Sequence, residues 1–311
     1  MQAVSLALPH DIHRRAVEMA AAAGKHALVE KPIATTLDDA DAMIDAAQRS
    51  GIVFMVAEDM HFRPGLWQAL EAVGRGDIGE PLYLQGRAGG IMRPQGWKTD
   101  QKRMGGGVLM DIGVHYVRAV RILMGEPDRI FASRAMQVNT KMSGEDSVQV
   151  LLSSRLGWEA HLLLSWSSPR GHAPDLTVAG EKGTIHLWPG DPYLDLYPAA
   201  PRPLTRLVGY VRPRWLGKKL MSPALQRVRR EVPENATGPY VAEIREFLAA
   251  VAEQRAPASL PRDARRDLEI VLRGYDALRE ESWVDIEAYT ARQLSTSNRG
   301  PFADNMGGDP S

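Results

Sequence analysis

The sequence predicts an α/β segment built on a parallel sheet, followed by an α+β domain with a large, open, mainly antiparallel sheet. Three observations predict it. Between residues 3 and 56, short apolar runs alternate with helical patterns of about ten to fifteen residues, the signature of βαβ units with helices on both sheet faces. From residue 130 onward, strand-like runs follow one another across turns such as Leu156-Gly157 and Gly180-Glu181-Lys182-Gly183, which makes neighbours antiparallel. A chain of 311 residues also has room for two domains. The expected boundaries are 1–62 for the first, 63–290 for the second and 291–311 for a disordered tail.

Taken in order, the run Ala3-Val4-Ser5-Leu6-Ala7-Leu8, stopped by Pro9, reads as a strand buried on both faces. Asp11 is placed to cap a helix reaching residue 23, and Gly24 to end it. His26 to Val29 form a second strand, halted by Glu30-Lys31-Pro32. Thr36 with Asp39 resembles a capping box opening a helix to residue 48, and 52–56 is a third strand. A helix over 66–73, a strand over 82–86 and a polar loop around Trp97 come next. Further strands are expected over 130–138, 148–154, 159–166, 176–179 with 184–188, and 193–197. Two amphipathic helices follow. Tyr240, Ile244, Phe247, Leu248 and Val251 would form the apolar face of one, and Leu268, Val271, Leu272, Tyr275 and Leu278 that of the other. A last strand spans 283–286. No internal repeat is present.

Composition narrows the function. The 38 basic and 38 acidic residues cancel, so no global field draws the chain to nucleic acid or lipid. The absence of cysteine excludes disulfides, thiolate metal sites and cysteine nucleophiles, and fits a cytoplasmic location. No apolar run reaches membrane-spanning length, and no signal peptide is visible. His10 and His13, at a strand-to-helix turn without a nearby third ligand, are not read as a metal site. One segment stands apart: between residues 196 and 230 lie nine basic residues, Arg202, Arg206, Arg212, Arg214, Lys218, Lys219, Arg227, Arg229 and Arg230, and no acidic one. Either an anionic ligand docks there or acids elsewhere in the fold balance it.

Chemistry concentrates in residues 104–125. Gly105-Gly106-Gly107 turns the chain close to a neighbour and feeds a helix in which Asp111 and His115 are spaced four apart, on one face. A carboxylate one turn before an imidazole can orient the ring and keep it available for proton transfer. The same pair could equally be a buried Asp and His that satisfy each other.

Glu30-Lys31-Pro32 after a strand, the triple glycine before a helix, and Asp111 four residues before His115 together resemble the glucose-fructose oxidoreductase and inositol dehydrogenase family (Gfo/Idh/MocA). Pro9 with His13, the crossing Ala57-Glu58-Asp59-Met60-His61-Phe62-Arg63-Pro64, and Gly144-Glu145-Asp146 extend the likeness over residues 2–287. The resemblance implies a Rossmann-type domain holding NAD or NADP, and hydride transfer at a hydroxyl or carbonyl of a sugar, cyclitol or related polyol. By position it implies Lys31, Asp111 and His115 as catalytic residues, with Lys98 joining them in substrate binding. Leu8, Pro9, His13, Glu30, Lys31, Pro32 and Trp97 would then face the cofactor. Loss of a hydroxyl hydride requires loss of its proton, for which His115 is the base, while the Lys31 ammonium stabilises the alkoxide. The resemblance also implies homo-oligomers formed through the sheet domain.

Two features depart from the family pattern. Arg118 stands where an acid is common. No G-x-G-x-x-G joins a strand to a helix, the one match, Gly74 to Gly79, following the helical pattern over 66–73, and residue 3 already belongs to what would be the fourth Rossmann strand, so a segment of about 60–70 residues, two βαβ-sized steps, is expected upstream in a complete enzyme. The competing expectation is a genuinely short, non-catalytic sugar-binding or subunit-partner module without cofactor. A third is transient oxidation followed by elimination.

Overall fold

A computed structural model describes residues 2–169, 171–188, 193–198, 228–231 and 238–288. The expected tail over 291–311 and most of the basic segment 202–230 lie outside the described residues.

Three strands, β1 (Ala3–Leu6), β2 (His26–Glu30) and β3 (Phe54–Ala57), form a parallel sheet in the order β1-β2-β3. Helices α1 (His13–Ala22) and α2 (Leu37–Arg49) pack together on one face, where Val17 and Met43 meet Ala27, Val29 and Val56. Leu28 and Met55 point the other way and are covered by α6 (Pro239–Glu253) through Phe247 and Ala250. Both faces are therefore covered, as expected of a parallel sheet. β1 itself is only partly buried rather than buried on both faces, because β2 is its sole strand neighbour among the described residues. Asp11 does not cap α1; it lies in a 3-10 turn before it and pairs with Arg103 at 3.0 Å. Thr36 does cap α2, its Oγ1 accepting from the Asp39 N–H at 3.1 Å. Gly24 ends α1 with φ +61°, a left-handed conformation open to glycine.

After α3 (Pro64–Gly74) comes β4 (Pro81–Ile91), the axis of the second sheet. A short helix α4 (Gln101–Met104), a π-helical turn (Leu109–Gly113) and α5 (Val114–Met124) follow. The remaining strands are β5 (Arg129–Arg134), β6 (Ser147–Ser153), β7 (Glu159–Ser165), β8 (Ser167–Ser168), β9 (Leu176–Gly180), β10 (Gly183–Leu187), β11 (Tyr193–Pro198), β12 (Val228–Glu231) and β13 (Val284–Asp285). They join β4 in a ten-stranded sheet of order β12-β11-β10-β9-β4-β7-β6-β5-β13, with β8 pairing β4 off this path. Every described pairing in it is antiparallel except β4 with β7, so the mainly antiparallel expectation holds.

The period of two is plain in β6 and β7, where Val148, Val150, Leu152, Ala160, Leu162 and Leu164 are buried between more exposed neighbours. Against that face lies α5, close enough that a Cβ on Gly86 would strike Leu162 and Tyr116. The last helix, α7 (Pro261–Glu280), buries Leu268, Val271 and Tyr275 as expected and packs on β5, α5 and α2. For α6 the expected apolar face is corrected. Phe247 is buried, but Tyr240, Ile244 and Leu248 are 66%, 50% and 55% exposed, because the helix turns Glu243, Phe247 and Ala250 inward instead.

Candidate active site

The site gathers where the carboxyl ends of β2 and β3 meet the glycine-led segment. Glu30 closes β2, and Lys31 follows it through a cis Lys31-Pro32 bond. Ligands bind at such strand ends in open α/β sheets. The triple glycine is held in place from behind. Gly105 has φ +81°, while a Cβ on Gly106 would overlap the Tyr275 hydroxyl and one on Gly107 the Glu145 backbone. The Tyr275 hydroxyl accepts from the N–H groups of Gly107 (2.9 Å) and Met110 (3.2 Å) and donates to Glu145 Oε1 at 2.8 Å. Glu145 also accepts from the Leu109 N–H at 2.9 Å. Backbone donors at the start of this segment thus find partners despite deep burial.

This anchoring aims Asp111 at Lys31. The Lys31 ammonium donates to the Asp111 carboxylate at 2.8 Å and to the Asp111 main-chain oxygen at 2.6 Å. Lys98 reaches the other carboxylate oxygen at 3.4 Å. Burial works against the Asp111 charge, but Lys31 and Lys98 outweigh it and hold the carboxyl well below the usual range. Two of the three ammonium protons of Lys31 are so engaged, leaving one for a ligand.

The expected partnership of Asp111 with His115 is corrected. Residues 109–113 form a π-helical turn, wider than an α turn, so positions four apart no longer stack over it. Asp111 turns to the lysines. His115, at the start of α5, instead donates from Nδ1 to Glu58 Oε1 at 2.6 Å, with Asp59 Oδ1 at 3.3 Å. Glu58 follows β3, and its Oε1 also accepts from the Met60 N–H at 3.1 Å. Burial opposes the Glu58 charge; His115, Arg118 and Lys31 overcome it and lower its pKa. An ionised Glu58 accepts and cannot donate, so Nδ1 is the donor of this bond. Glu30 pairs with Ala57, so Lys31 and Glu58 leave adjacent strand ends, and His115 is bonded to Glu58.

The residues expected to face a cofactor form the neighbouring wall. His13 is fully buried, with Nε2 3.0 Å from the Leu8 carbonyl and Nδ1 3.1 Å from that of Pro32. Burial lowers its pKa, so the neutral ring donates to one carbonyl at a time and ties the ends of β1 and β2 together. His10 bonds the Met104 carbonyl at 2.8 Å and meets the Trp97 ring edge-on at 4.7 Å. Burial brings its pKa down to about 4. Trp97 and Lys98 sit in a 3-10 turn after β4, partly exposed.

Sequence reasoning passed over Glu58 and Asp59 as site residues. The available signal was their position directly after a fully buried strand in the 57–64 crossing, a place ordinarily left to loop polarity. It also missed Glu243 on α6, which sits among Glu30, Asp59 and Glu58; burial and those charges raise its pKa to about 8.

Comparisons with known proteins agree with this architecture. Residues 1–58 match the family model described as oxidoreductase family, NAD-binding Rossmann fold, and residues 66–186 match that of the GFO/IDH/MocA C-terminal domain. D-apiose dehydrogenase of Paraburkholderia graminis is 33% identical over 197 residues, covering 59% of this chain and 50% of that one. Levoglucosan dehydrogenase of Pseudarthrobacter phenanthrenivorans is 35% identical over 128 residues, 40% of this chain and 33% of its own. The chain spans about half the length of the curated relatives it matches most extensively. Among solved structures, aldose-aldose oxidoreductase from Caulobacter crescentus, complexed with glycerol, superposes with a TM-score of 0.76 at 25% identity, over 92% of this chain and 79% of that one. A levoglucosan dehydrogenase bound to NADH and levoglucosan shares the fold, with a TM-score of 0.75 at 21% identity over 93% of this chain and 80% of that one. With both family models matched in sequence, over residues 1–58 and 66–186, the chain belongs to the Gfo/Idh/MocA oxidoreductase family.

Proposed function

We propose that this chain carries the catalytic residues of an NAD(P)-dependent dehydrogenase or reductase acting on a hydroxyl or carbonyl of a sugar, cyclitol or related polyol. The observation that carries the proposal is the pair of part-buried couples at the adjacent ends of β2 and β3, Lys31 with Asp111 and His115 with Glu58. Relatives named for apiose, levoglucosan and D-xylose point to the same substrate class.

The nicotinamide end of a cofactor fits the residues present. Leu8, Pro9, His13, Glu30 and Pro32 line the carboxyl ends of β1 and β2, and partly exposed Trp97 stands beside them on His10. These residues would hold that end, and the cofactor supplies the hydride acceptor or donor. The chain's own groups do the rest. Lys31 donates its remaining proton to the substrate oxygen and stabilises the charge that develops there. Asp111 fixes the ammonium, and Lys98 adds a second positive charge beside it. Nε2 of His115 takes the hydroxyl proton during oxidation and returns it during reduction, with Glu58 stabilising the imidazolium formed. Their closeness is what lets proton loss accompany hydride loss.

Several finer features belong to the same proposal: domain limits of 1–62 and 63–290, homo-oligomers formed through the sheet face, and a cytoplasmic location. Among the described residues no helix is long and apolar enough to cross a membrane.

The test is a panel of aldoses, polyols and cyclitols with NAD⁺ or NADP⁺, followed at the absorbance of the reduced nicotinamide. Turnover that falls in Lys31→Met and His115→Gln supports the proposal; equal turnover in both variants overturns it. One observation favours a second reading: the G-x-G-x-x-G of the sequence, Gly74 to Gly79, ends helix α3 instead of joining a strand to a helix, so it is not placed to hold a pyrophosphate. Polyol binding by the chain with no NAD(P)H binding at millimolar concentration would favour a non-catalytic sugar-binding module.

A further inference from the structure

Glu58, Asp59 and His115 come from two separate elements, yet one ligand atom from each lies within 4.8 Å of the others. His115 Nδ1 is 2.6 Å from Glu58 Oε1 and 3.3 Å from Asp59 Oδ1. A single Nδ1 proton thus faces two carboxylates. Donors bound to one metal at about 2.0–2.2 Å stand roughly 3 Å apart, the spacing found here. Outer contacts hold the acids in this pose: Arg63 grips Asp59 Oδ2 at 2.8 and 3.2 Å, and the Met60 N–H holds Glu58.

An independent observation points to the same place. Glu243, on α6, is 5% exposed, its Oε2 is buried with no hydrogen-bond partner among the described residues, and the charges of Glu30, Asp59 and Glu58 act on it. Helix α6 packs directly on the turn formed by residues 59–62. Among the described residues, Arg63 is ion-paired with Asp59, and the His115 ring lies against Glu58 and Asp59. A buried carboxyl oxygen without a donor, added to three convergent ligand atoms, describes a cation site.

We infer that Glu58, Asp59 and His115 form a site for a divalent transition metal ion, and that the bound ion switches off the His115 base. One imidazole with carboxylates and no sulfur suits Zn²⁺ or Mn²⁺; the nitrogen ligand selects against Mg²⁺ and Ca²⁺. The ion takes the Nδ1 lone pair of the neutral ring, whose one proton moves from Nδ1 to Nε2. A ring bound through Nδ1 with its proton on Nε2 has no lone pair to receive a substrate proton. No electrons move in this step. The inhibitory part rests on the proposed function; metal binding stands apart from it.

The test titrates the chelator-treated, untagged chain with ZnCl₂ and separately with MnCl₂ by isothermal calorimetry. The expected result is one Zn²⁺ per chain with a Kd of about 10 µM or tighter, weakened at least about tenfold in Asp59→Asn. Co²⁺ added to the unmutated chain should give visible d–d bands of a nitrogen and oxygen site, a readout independent of how any variant folds. No binding of either metal at a tenfold excess over the chain, or affinity unchanged in Asp59→Asn, overturns the site. Zinc should also abolish turnover reversibly, with EDTA restoring it. Zinc binding that leaves turnover intact overturns the inhibition, and zinc binding by a chain with no turnover in metal-free buffer indicts the dehydrogenase reading instead.

Discussion

At the scale of single residues, the site divides its charges into two couples, and each couple makes a distinct prediction. Lys31→Arg keeps a positive charge but replaces a compact ammonium by a planar fork that cannot repeat the two bonds to Asp111. Its kcat should fall by about a hundredfold with the melting temperature little changed. Glu58→Gln removes the anion that holds the Nδ1 proton on His115. The amide can donate as well as accept, so the tautomer with a free Nε2 loses its advantage, and kcat should drop by about 10² while KM moves less. His10 sets a pH dependence of stability. Its folded pKa is about 4 against an ordinary 6.5, so the unfolded chain binds the extra proton between those values. The neutral ring's contribution is complete above pH 6.5 and is lost as pH falls toward 4, to a total of about 3 kcal/mol. Thermal melts from pH 7 to 4 should fall less steeply in His10→Gln than in the parent chain.

At the scale of elements, the glycine-led segment is the one on which the site turns. Its three glycines let the backbone lie against Tyr275 and Glu145, and the π-helical turn behind them decides which way Asp111 points. Tyr275→Phe deletes the hydroxyl that serves two backbone N–H groups and Glu145 at once. Leaving those groups unsatisfied should cost about 2–3 kcal/mol in urea melts. Activity should fall further than the lost stability explains, since the turn carrying Asp111 is loosened. Much of this element was legible in advance. Three adjacent glycines before a helical run announce a close approach, and Asp111 and His115 stood out at their spacing. The π turn was not legible, because an α-helix and a helix with one widened turn share the same apolar pattern over so short a stretch.

For the whole molecule, α7 is the brace. Arg118 and Arg121 on α5 are bonded to Asp267 on α7, each at 2.6 Å, while Arg265 on α7 reaches Asp41 on α2 at 2.5 and 2.9 Å. Arg118, the departure from the family pattern, is thus fully buried and paired across helices, and it also bears on Glu58. Asp267→Asn leaves two buried guanidinium groups short of their anion and should destabilise the fold by about 3–5 kcal/mol, read as a large drop in melting temperature. The same packing accounts for α6. Its exposed Tyr240, Ile244 and Leu248 lie away from the small sheet, because Phe247 and Ala250 are the residues that cover Leu28 and Met55.

By itself the sequence determined the two sheet types, their order and most strand and helix positions, because local periodicity and turn chemistry act over short stretches of chain; it also singled out Lys31, Asp111 and His115 as candidates. Only the tertiary structure decided the partners. His115 found Glu58 across a separation of 57 residues, and Lys31 found Asp111 across 80. Which carboxylate meets which base depends on where a strand end stops against a helix start, a distance set by the packing of both sheets and carried by no local pattern.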